Sequence, residues 1–518
     1  MSVSSGPEIA NDGLILCFDA ANQKSILNTV EVLVVGGGGA GGGGIGGGGG
    51  GGGVIYMPSA NITPSTSYTI TVGAGGTPVV YSGTSNNGGD STAFGATAKG
   101  GGGSGVHDSG VGTAGGSGGG AASNNGVLNQ GGASSGNSLG TNSGFIYGNR
   151  GGNMTAARTA GPTAAAGGGG AGTAGPDTNS NTVQSSPGNA NGRGGDGIPN
   201  SILGPTYYWG GGGGGGGYFN GYAGNGGLGG GGGGSCSGGI GPTSGGGSAL
   251  NSGTGAAIDT NGGAGGANTG GGGGGGAWQN TSGGAGGSGI VVVRYLGSQR
   301  ATGGTVTTVG EYTIHTFTTS GTFTPLWGDA TSRGNNGTLT GGPTYNSSNG
   351  GSLVFDGTDD YISCGTFFNY TNFTISLWVY PGSTQTTYAD IFDNNHTGGQ
   401  NFVCQQNATN TNQYDFACIN ATNFSATSLF NLTANIWQYL TFTWNNSIAS
   451  AYINGVFHSS GSAANPINYS NPNLSIARWS NGGRNWNGRI SNFVAYNKAL
   501  TATEIQQNFN ATRGRFGI

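Results

Sequence analysis

Along residues 326–518, apolar and polar positions alternate in period two. SLVFDG, FTISLWVY, QYLTFTW, SAYINGVF, LSIARW and RISNFVAY each gather apolar side chains on one face, the pattern of half-buried strands. YPGS, NNS and SNGG separate them as turns. Asn454-Gly455 predicts a tight hairpin. ALTATEIQQNFNA departs from the alternation, and Thr501 and Glu504 stand at capping-box spacing, so one short helix is expected there. Many short strands with almost no helix predict an all-β sandwich or jelly roll.

Residues 30–325 read differently. VEVLVV (30–35) and GIVVVRY (289–295) are apolar on both faces, as buried strands that could pair. Between them lie near-pure glycine runs at 46–53, 210–217, 229–234 and 270–276. A flexible linker is one reading, but a linker has no reason to repeat a run length. Ordering glycine is costly in backbone entropy, so an ordered run needs a compensating array of hydrogen bonds. Polyproline-II geometry supplies one. It has three residues per turn and no internal hydrogen bonds, so every amide points sideways. Side-chain-free rods can then approach and pair those groups. A run of eight would make a rod of about 25 Å. Mixed stretches such as GGAGGANTG suit outer rods.

Composition narrows the class. The chain has 518 residues, 125 of them glycine, a charged fraction of 6% and a net charge of −4. No Gly-X-Y period accompanies the glycine, which excludes collagen, and the low charge is unlike an ordinary disordered chain. The mild acidity gives no footprint for nucleic acid. No apolar run would insert in a membrane. MSVSSGPEIANDG carries no signal-peptide pattern, so a cytoplasmic place of synthesis is expected. Cys17, Cys236, Cys364, Cys404 and Cys418 show no zinc spacing. A disulfide between Cys404 and Cys418 is left open, against the reducing compartment expected.

The C-terminal part resembles the laminin-G-like, concanavalin-type jelly-roll module. GNNGTLTGGPTYNSSNGGSLVFDGTDDYI, FTISLWVYP, WQYLTFTW followed by AYINGV, and WNGRISNFVAYNKALTATEIQQNFNA carry the resemblance. In tailed-phage virion proteins such a module opens with a stretch like DGLILCFDAANQKS and runs straight into Trp-x-Asp and NNGTL. Here the opening stands at 12–25, whereas Trp327, Asp329 and NNGTL (335–339) follow far downstream. The resemblance implies an insertion. A strand at 14–18, with Leu14, Leu16 and Phe18 on one side, would return to the sandwich; docking elsewhere is the alternative. The expected division is 1–29 as first strand, 30–325 as inserted domain and 326–518 as jelly roll. VEVLVVGGGGAGG, SYTITVGAGG, GGAGGSGIVVVRY and YTIHTFTTSGTFTP resemble the glycine-rich domain of phage tail-fibre adhesins. That family pairs a small β-box, here with strands near 30–35, 67–72, 289–295 and 312–324, with a polyglycine-II bundle whose loops form a recognition tip.

Candidate chemistry is sparse. The G-x-G-x-x-G after VEVLVV is automatic in a glycine run, with no helix or acidic partner following. Glycan cleavage needs two carboxylates across a cleft; those of the insertion are scattered, and Asp359 and Asp360, adjacent on a strand, would face opposite sides. The expectation is therefore no catalytic residue and no enzyme. Asp356, Asp359 and Asp360 are candidate calcium ligands, with turn capping as the plainer role; no other cofactor is expected. His107, His315, His396 and His458 are dispersed. Tyr207, Tyr208, Trp209, Tyr218, Phe219 and Tyr222 flank one glycine run. They are candidates for stacking on a host-surface glycan or outer-membrane protein, or apolar caps pinning rod ends. The resemblance implies a virion adhesin assembled in the host cytoplasm with other virion proteins, with a homotrimer as the expected oligomer by family analogy. A purely structural decoration protein, a glycan-active enzyme and a bacterial surface adhesin are the alternatives.

Overall fold

The structure, a computed structural model, describes residues 8–22, 24–80, 85–107, 110–124, 126–158, 163–179, 192–219, 221–238, 243–278, 281–331, 333–395, 401–408, 412–420, 423–462, 467 and 469–518. His396 lies outside them.

The C-terminal alternation folds into two facing sheets. One has the order Thr344–Asn346, Ser352–Asp356, Asn487–Tyr496, Phe373–Pro381, Gln438–Trp444, Ile448–Ile453, Val456–Ser462. The other has the order Thr338–Thr340, Tyr361–Gly365, Leu474–Ile476, Asp390–Asn394, Phe402–Gln406, Gln413–Asn420, Asn423–Asn431. Their inner faces share one core, with Phe373, Leu377, Phe392, Phe402, Phe416 and Phe442 at its centre. The helix Ala502–Thr512 packs outside, started by the capping box: Thr501 N donates to Glu504 Oε2 at 2.8 Å and Glu504 N to Thr501 Oγ1 at 3.3 Å. Cys404 faces Phe416 and Cys418 faces Phe402, so the two thiols are offset in register and form no disulfide.

The N-terminal strand Leu14–Asp19 belongs to this sandwich. It pairs antiparallel with the second half of Asn487–Tyr496, while Ser352–Asp356 pairs with the first half. A register shift between Leu14 and Leu16 alters the expected facing. Ile15, Leu16 and Phe18 enter the core, and Leu14 turns toward the helix cluster instead. Phe18 stacks on Trp327 at 5.0 Å. Gly328 N donates to Ser25 O and Ala330 N to Cys17 O, each at 2.8 Å. The chain thus leaves the jelly roll near Ser25 and re-enters it beside itself at Trp327.

At the root of the glycine-rich region is a six-stranded sheet in the order Thr305–Val309, Tyr312–Phe317, Ile290–Leu296, Thr29–Val35, Val54–Asn61, Phe145–Tyr147. Both its faces are covered, Val32 and Val34 on one side and Leu33 and Val35 on the other, which is why VEVLVV has no polar alternation. Tyr68–Ile70 joins a separate small sheet through Gly321–Pro325. His315, on the interior strand Tyr312–Phe317, is fully buried.

Thr29–Val35 runs directly into a glycine rod at 36–42, and the rod 46–53 runs back into Val54–Asn61. The amides of 210–217 show how rods pack. Gly211, Gly214 and Gly217 donate to Gly229, Gly232 and Ser235; Gly212 and Gly215 to Gly195 and Gly192; Gly213 and Gly216 to Gly49 and Gly46, all at 2.7–3.1 Å. Every third amide returns to the same neighbour, as three residues per turn demands. Three further rods donate back: Gly227 N to Gly212 O, Gly168 N to Gly213 O and Gly275 N to Gly214 O. The rod is therefore enclosed on all sides. A Cβ built on Gly213 would fall inside the van der Waals shell of the Gly273 carbonyl, and one on Gly49 inside that of Gly39. Solid glycine is a steric requirement here.

Candidate functional site

Rods that start at the root sheet must turn at their far ends, and those turns bring together residues remote in sequence. Ile45, buried at φ 60°, makes the turn between the rods 36–42 and 46–53. Its amide donates to Gly276 O at 3.1 Å, and its carbonyl accepts from Ser123 N at 3.3 Å. Tyr218 and Phe219 follow the rod 210–217, and Trp278 follows 270–276.

The rings of Tyr218 and Trp278 lie 5.5 Å apart, and Phe219 is 5.9 Å from Tyr218. The Arg158 guanidinium sits over both Tyr218, at 5.2 Å, and Trp278, at 4.9 Å, a cation–π arrangement. His107 meets Trp278 edge-on at 4.7 Å. Ser237 Oγ donates to Trp278 O at 3.0 Å, and Cys236 Sγ to Gly221 O at 2.7 Å. Burial first, then Asp259, pushes the Cys236 thiol up to about 12, so it is an uncharged packing group. Phe219 is 56% exposed and held at φ 49°, a conformation that bulky residues rarely adopt. Tyr222 is half-buried nearby in the chain.

The six aromatic candidates thus divide. Tyr218, Phe219 and Tyr222 lie at the far turn. Tyr207, Tyr208 and Trp209 form a strand with Ile198–Asn200 at the other end of the same rod, about 25 Å away at the rise of a polyproline-II helix. Trp209 is fully buried against Leu33, Val35, Ile290 and Val292, so its role is to pin the rod to the root sheet. His107 and Arg158 join the far cluster without any signal in their own neighbourhoods. The usable signal was the regular rod length, which places alternate turns at one end.

Four carboxylates of the glycine-rich region serve as clamps. Asp90 pairs with Lys99 at 2.7 Å, Asp177 with Arg150 at 2.6 Å, Asp196 with Arg193 at 2.6 Å and Glu31 with Arg294 at 2.6 Å. The Arg150 hydrogen bonds hold the Asp177 carboxyl below its usual range.

On the sandwich, Asp356, Asp359 and Asp360 each bring a carboxylate oxygen within 4.8 Å of the others. Adjacent Asp359 and Asp360 were expected on opposite faces. They converge because residues 357–359 bend, with Gly357 at φ 78°. Asp356 Oδ1 accepts from Thr358 N at 2.7 Å, and Asp360 Oδ2 from Asp356 N at 3.0 Å. Burial raises the Asp360 pKa. The carboxylates therefore cap this turn, and hard oxygens at such spacing also fit a calcium ion.

A family profile described as a glycine-rich domain matches residues 20–296, more than half of the 518-residue chain. The chain belongs to this glycine-rich domain family. Residues 356–506, beyond the glycine-rich domain, match the concanavalin A-like lectin/glucanases superfamily. No curated protein matches the chain. Among solved structures, domain 4 of AbnA, a GH43 extracellular arabinanase from Geobacillus stearothermophilus in complex with arabinotriose, is 20% identical. That likeness covers 35% of this chain and 91% of that one, with a TM-score of 0.30. The receptor binding domain of botulinum neurotoxin type G is 18% identical over 35% of this chain and 47% of its own, with a TM-score of 0.29. The binding domain of serotype D is 15% identical over 35% and 47%, with a TM-score of 0.30. This chain spans about half the length of the two neurotoxin domains, at 47% each. At these scores the likenesses say nothing about ligands. Among the described residues, no helix is long and apolar enough to cross a membrane.

Proposed function

We propose that the protein is a non-enzymatic virion component of a tailed phage, a tail-fibre or appendage adhesin that holds a host-surface glycan or outer-membrane protein at the far turns of its glycine bundle. The observation that carries this reading is the far cluster itself. An enclosed, side-chain-free bundle spends no side chains on its own interior, and at its end stands an exposed Phe219 beside Tyr218 and Trp278. Turns on such a scaffold can vary without disturbing the backbone pairing beneath. The jelly roll would then face the particle and other virion proteins. A homotrimer would follow by analogy with the fibres this domain resembles. Calcium, if taken, would brace the turn at Asp356, Asp359 and Asp360; a rise in Tm on adding calcium, lost in Asp359→Asn, tests that.

Binding of the full chain to intact bacteria from a strain panel tests the main reading. Phe219→Ala and Trp278→Ala should each weaken binding at least about tenfold, the scale of a lost aromatic anchor. Tyr207→Ala, at the opposite end, should not. Tip variants that bind like the parent chain would sink the adhesin assignment. Absence of the chain from purified phage particles by mass spectrometry would sink the virion assignment.

A further inference from the structure

A cavity of about 720 Å³ opens where the jelly roll and the root sheet meet, a size within the range of small-molecule sites. Its floor joins the two cores. Ile26 belongs to the jelly-roll core, and Leu27 and Val30 belong to the core of the root sheet. On its wall Leu296 is 57% exposed, an apolar side chain left in water beside an apolar floor.

The charges on the walls are unbalanced, with Lys24, Arg294 and Arg300 set against Glu31 and Asp329. Both carboxylates are already engaged. Glu31 accepts from Arg294 Nη2 at 2.7 Å, from Arg294 Nε at 2.8 Å and from Tyr56 Oη at 2.7 Å. Asp329 is 1% exposed, and its oxygens accept from the amides of Cys17, Thr331 and Asn335 and from Thr331 Oγ1. Among the described residues the Lys24 ammonium makes no ion pair. The Lys24 amide is tied to Asn22 Oδ1 at 2.9 Å. Arg300 is 5% exposed; its guanidinium lies over the Tyr295 ring at 5.1 Å and donates to Leu296 O. Gly328 leaves room for this side chain, because a Cβ there would stand 2.5 Å from Arg300 Cγ. Burial lowers the Arg300 pKa, a cost that negative charge nearby would offset.

We propose that this cavity binds a small organic anion, a carboxylate or phosphate group carried on an apolar body. Lys24 and Arg300 hold the charged group through charge-assisted hydrogen bonds. Leu27 and Leu296 receive the apolar part. A cation would meet the surplus positive charge, and a neutral ligand would leave that charge unused. The occupant touches both the jelly roll and the root sheet, so its binding stabilises the contact between them. The site lies at the root of the glycine bundle and is independent of the tip.

The test titrates the full chain by calorimetry, at low ionic strength, with benzoate, phenyl phosphate and uncharged benzamide. One or both anions should saturate with Kd of about 1 mM, the scale of so small a ligand. The tighter of the two names the charged group. Benzamide should bind at least about tenfold more weakly. Lys24 is exposed, so its replacement spares the core; Lys24→Glu should weaken anion binding about tenfold, and Lys24→Arg should bind like the parent chain. Trp278→Ala at the tip should leave binding unchanged. Four results overturn the proposal: neither anion saturating below about 10 mM, benzamide binding as well as the anions, Lys24→Glu binding like the parent, or binding lost in Trp278→Ala. The first three leave tip-dependent attachment to cells intact, so failure here and failure of the adhesin reading are separate outcomes.

Discussion

The glycine bundle and the jelly roll are both solidly buried, yet they are held by opposite means. In the jelly roll, interlocked rings such as Phe373, Phe402 and Phe416 fill the space between sheets. There the main favourable term is apolar area removed from water. In the bundle the rods at 46–53 and 210–217 have almost no side chain to bury, and their interior consists of amides satisfying amides. A single such bond contributes only about 1 kcal/mol net, so the array has to be nearly complete to offset glycine's entropy. The comparison teaches that the bundle is intolerant of any added atom, whereas the jelly roll is intolerant of lost ones.

The sharpest break of that contrast is Gly213→Val. Its side chain would have to displace the Gly273 carbonyl and, with it, two rods. We expect a loss above about 4 kcal/mol, in the range reserved for gross core disruption. Chemical denaturation should show the glycine-rich region unfolding separately and early. If Gly213→Val leaves both the denaturation curve and amide exchange of 210–217 unchanged, the rods do not pack as described.

On the jelly-roll side the matching test removes atoms. We place the domain boundaries at 30 and 326, and a chain joining residue 29 to residue 326 should fold as a β-sandwich by circular dichroism. Within it, Phe18→Ala should cost about 3–5 kcal/mol, the usual figure for a buried phenylalanine, because Phe18 fills the core against Trp327. Equal stability without the N-terminal strand would contradict its place in the sheet.

These two tests also mark what was legible in the sequence. Period-two alternation exposed the strands because a half-buried strand imposes a local rule on its own residues. The similar length of the glycine runs exposed the bundle for a related reason, since a rod spans a fixed distance. The facing of Leu14 was missed because a bulge resets the side-chain period, and a bulge leaves little trace in composition. Asp356, Asp359 and Asp360 were legible together as candidate calcium ligands, but the expectation that Asp359 and Asp360 face opposite sides failed because residues 357–359 bend where a strand was read. Arg158 and His107 were missed at the tip because a fold in which every rod contacts several others relates residues through rod order, not through local pattern.

The smallest effect expected concerns the sheet where the two regions meet. His315 Nδ1 lies 2.7 Å from Gly303 O, which can only accept, so Nδ1 carries the proton. Nε2, 2.9 Å from Tyr295 Oη, then accepts the phenol hydrogen, and Tyr295 Oη accepts in turn from Arg300 N at 2.9 Å. The chain of bonds is complete only with neutral imidazole, and burial lowers the His315 pKa below its ordinary value. The unfolded chain, near 6.5, therefore binds this proton more readily than the fold does. The stabilisation is fully present above about pH 6.5 and is lost progressively as pH falls toward the lower folded value. Asp390, with its pKa raised, acts in the opposite sense, so the bare pH profile mixes the two. The informative quantity is the difference between the parent chain and His315→Gln, which does not titrate. Between pH 7 and 5 the Tm of the parent should fall further than that of the variant. A parallel pair of profiles would mean that the root sheet tolerates the imidazolium, and that acid acts on the bundle or the jelly roll instead.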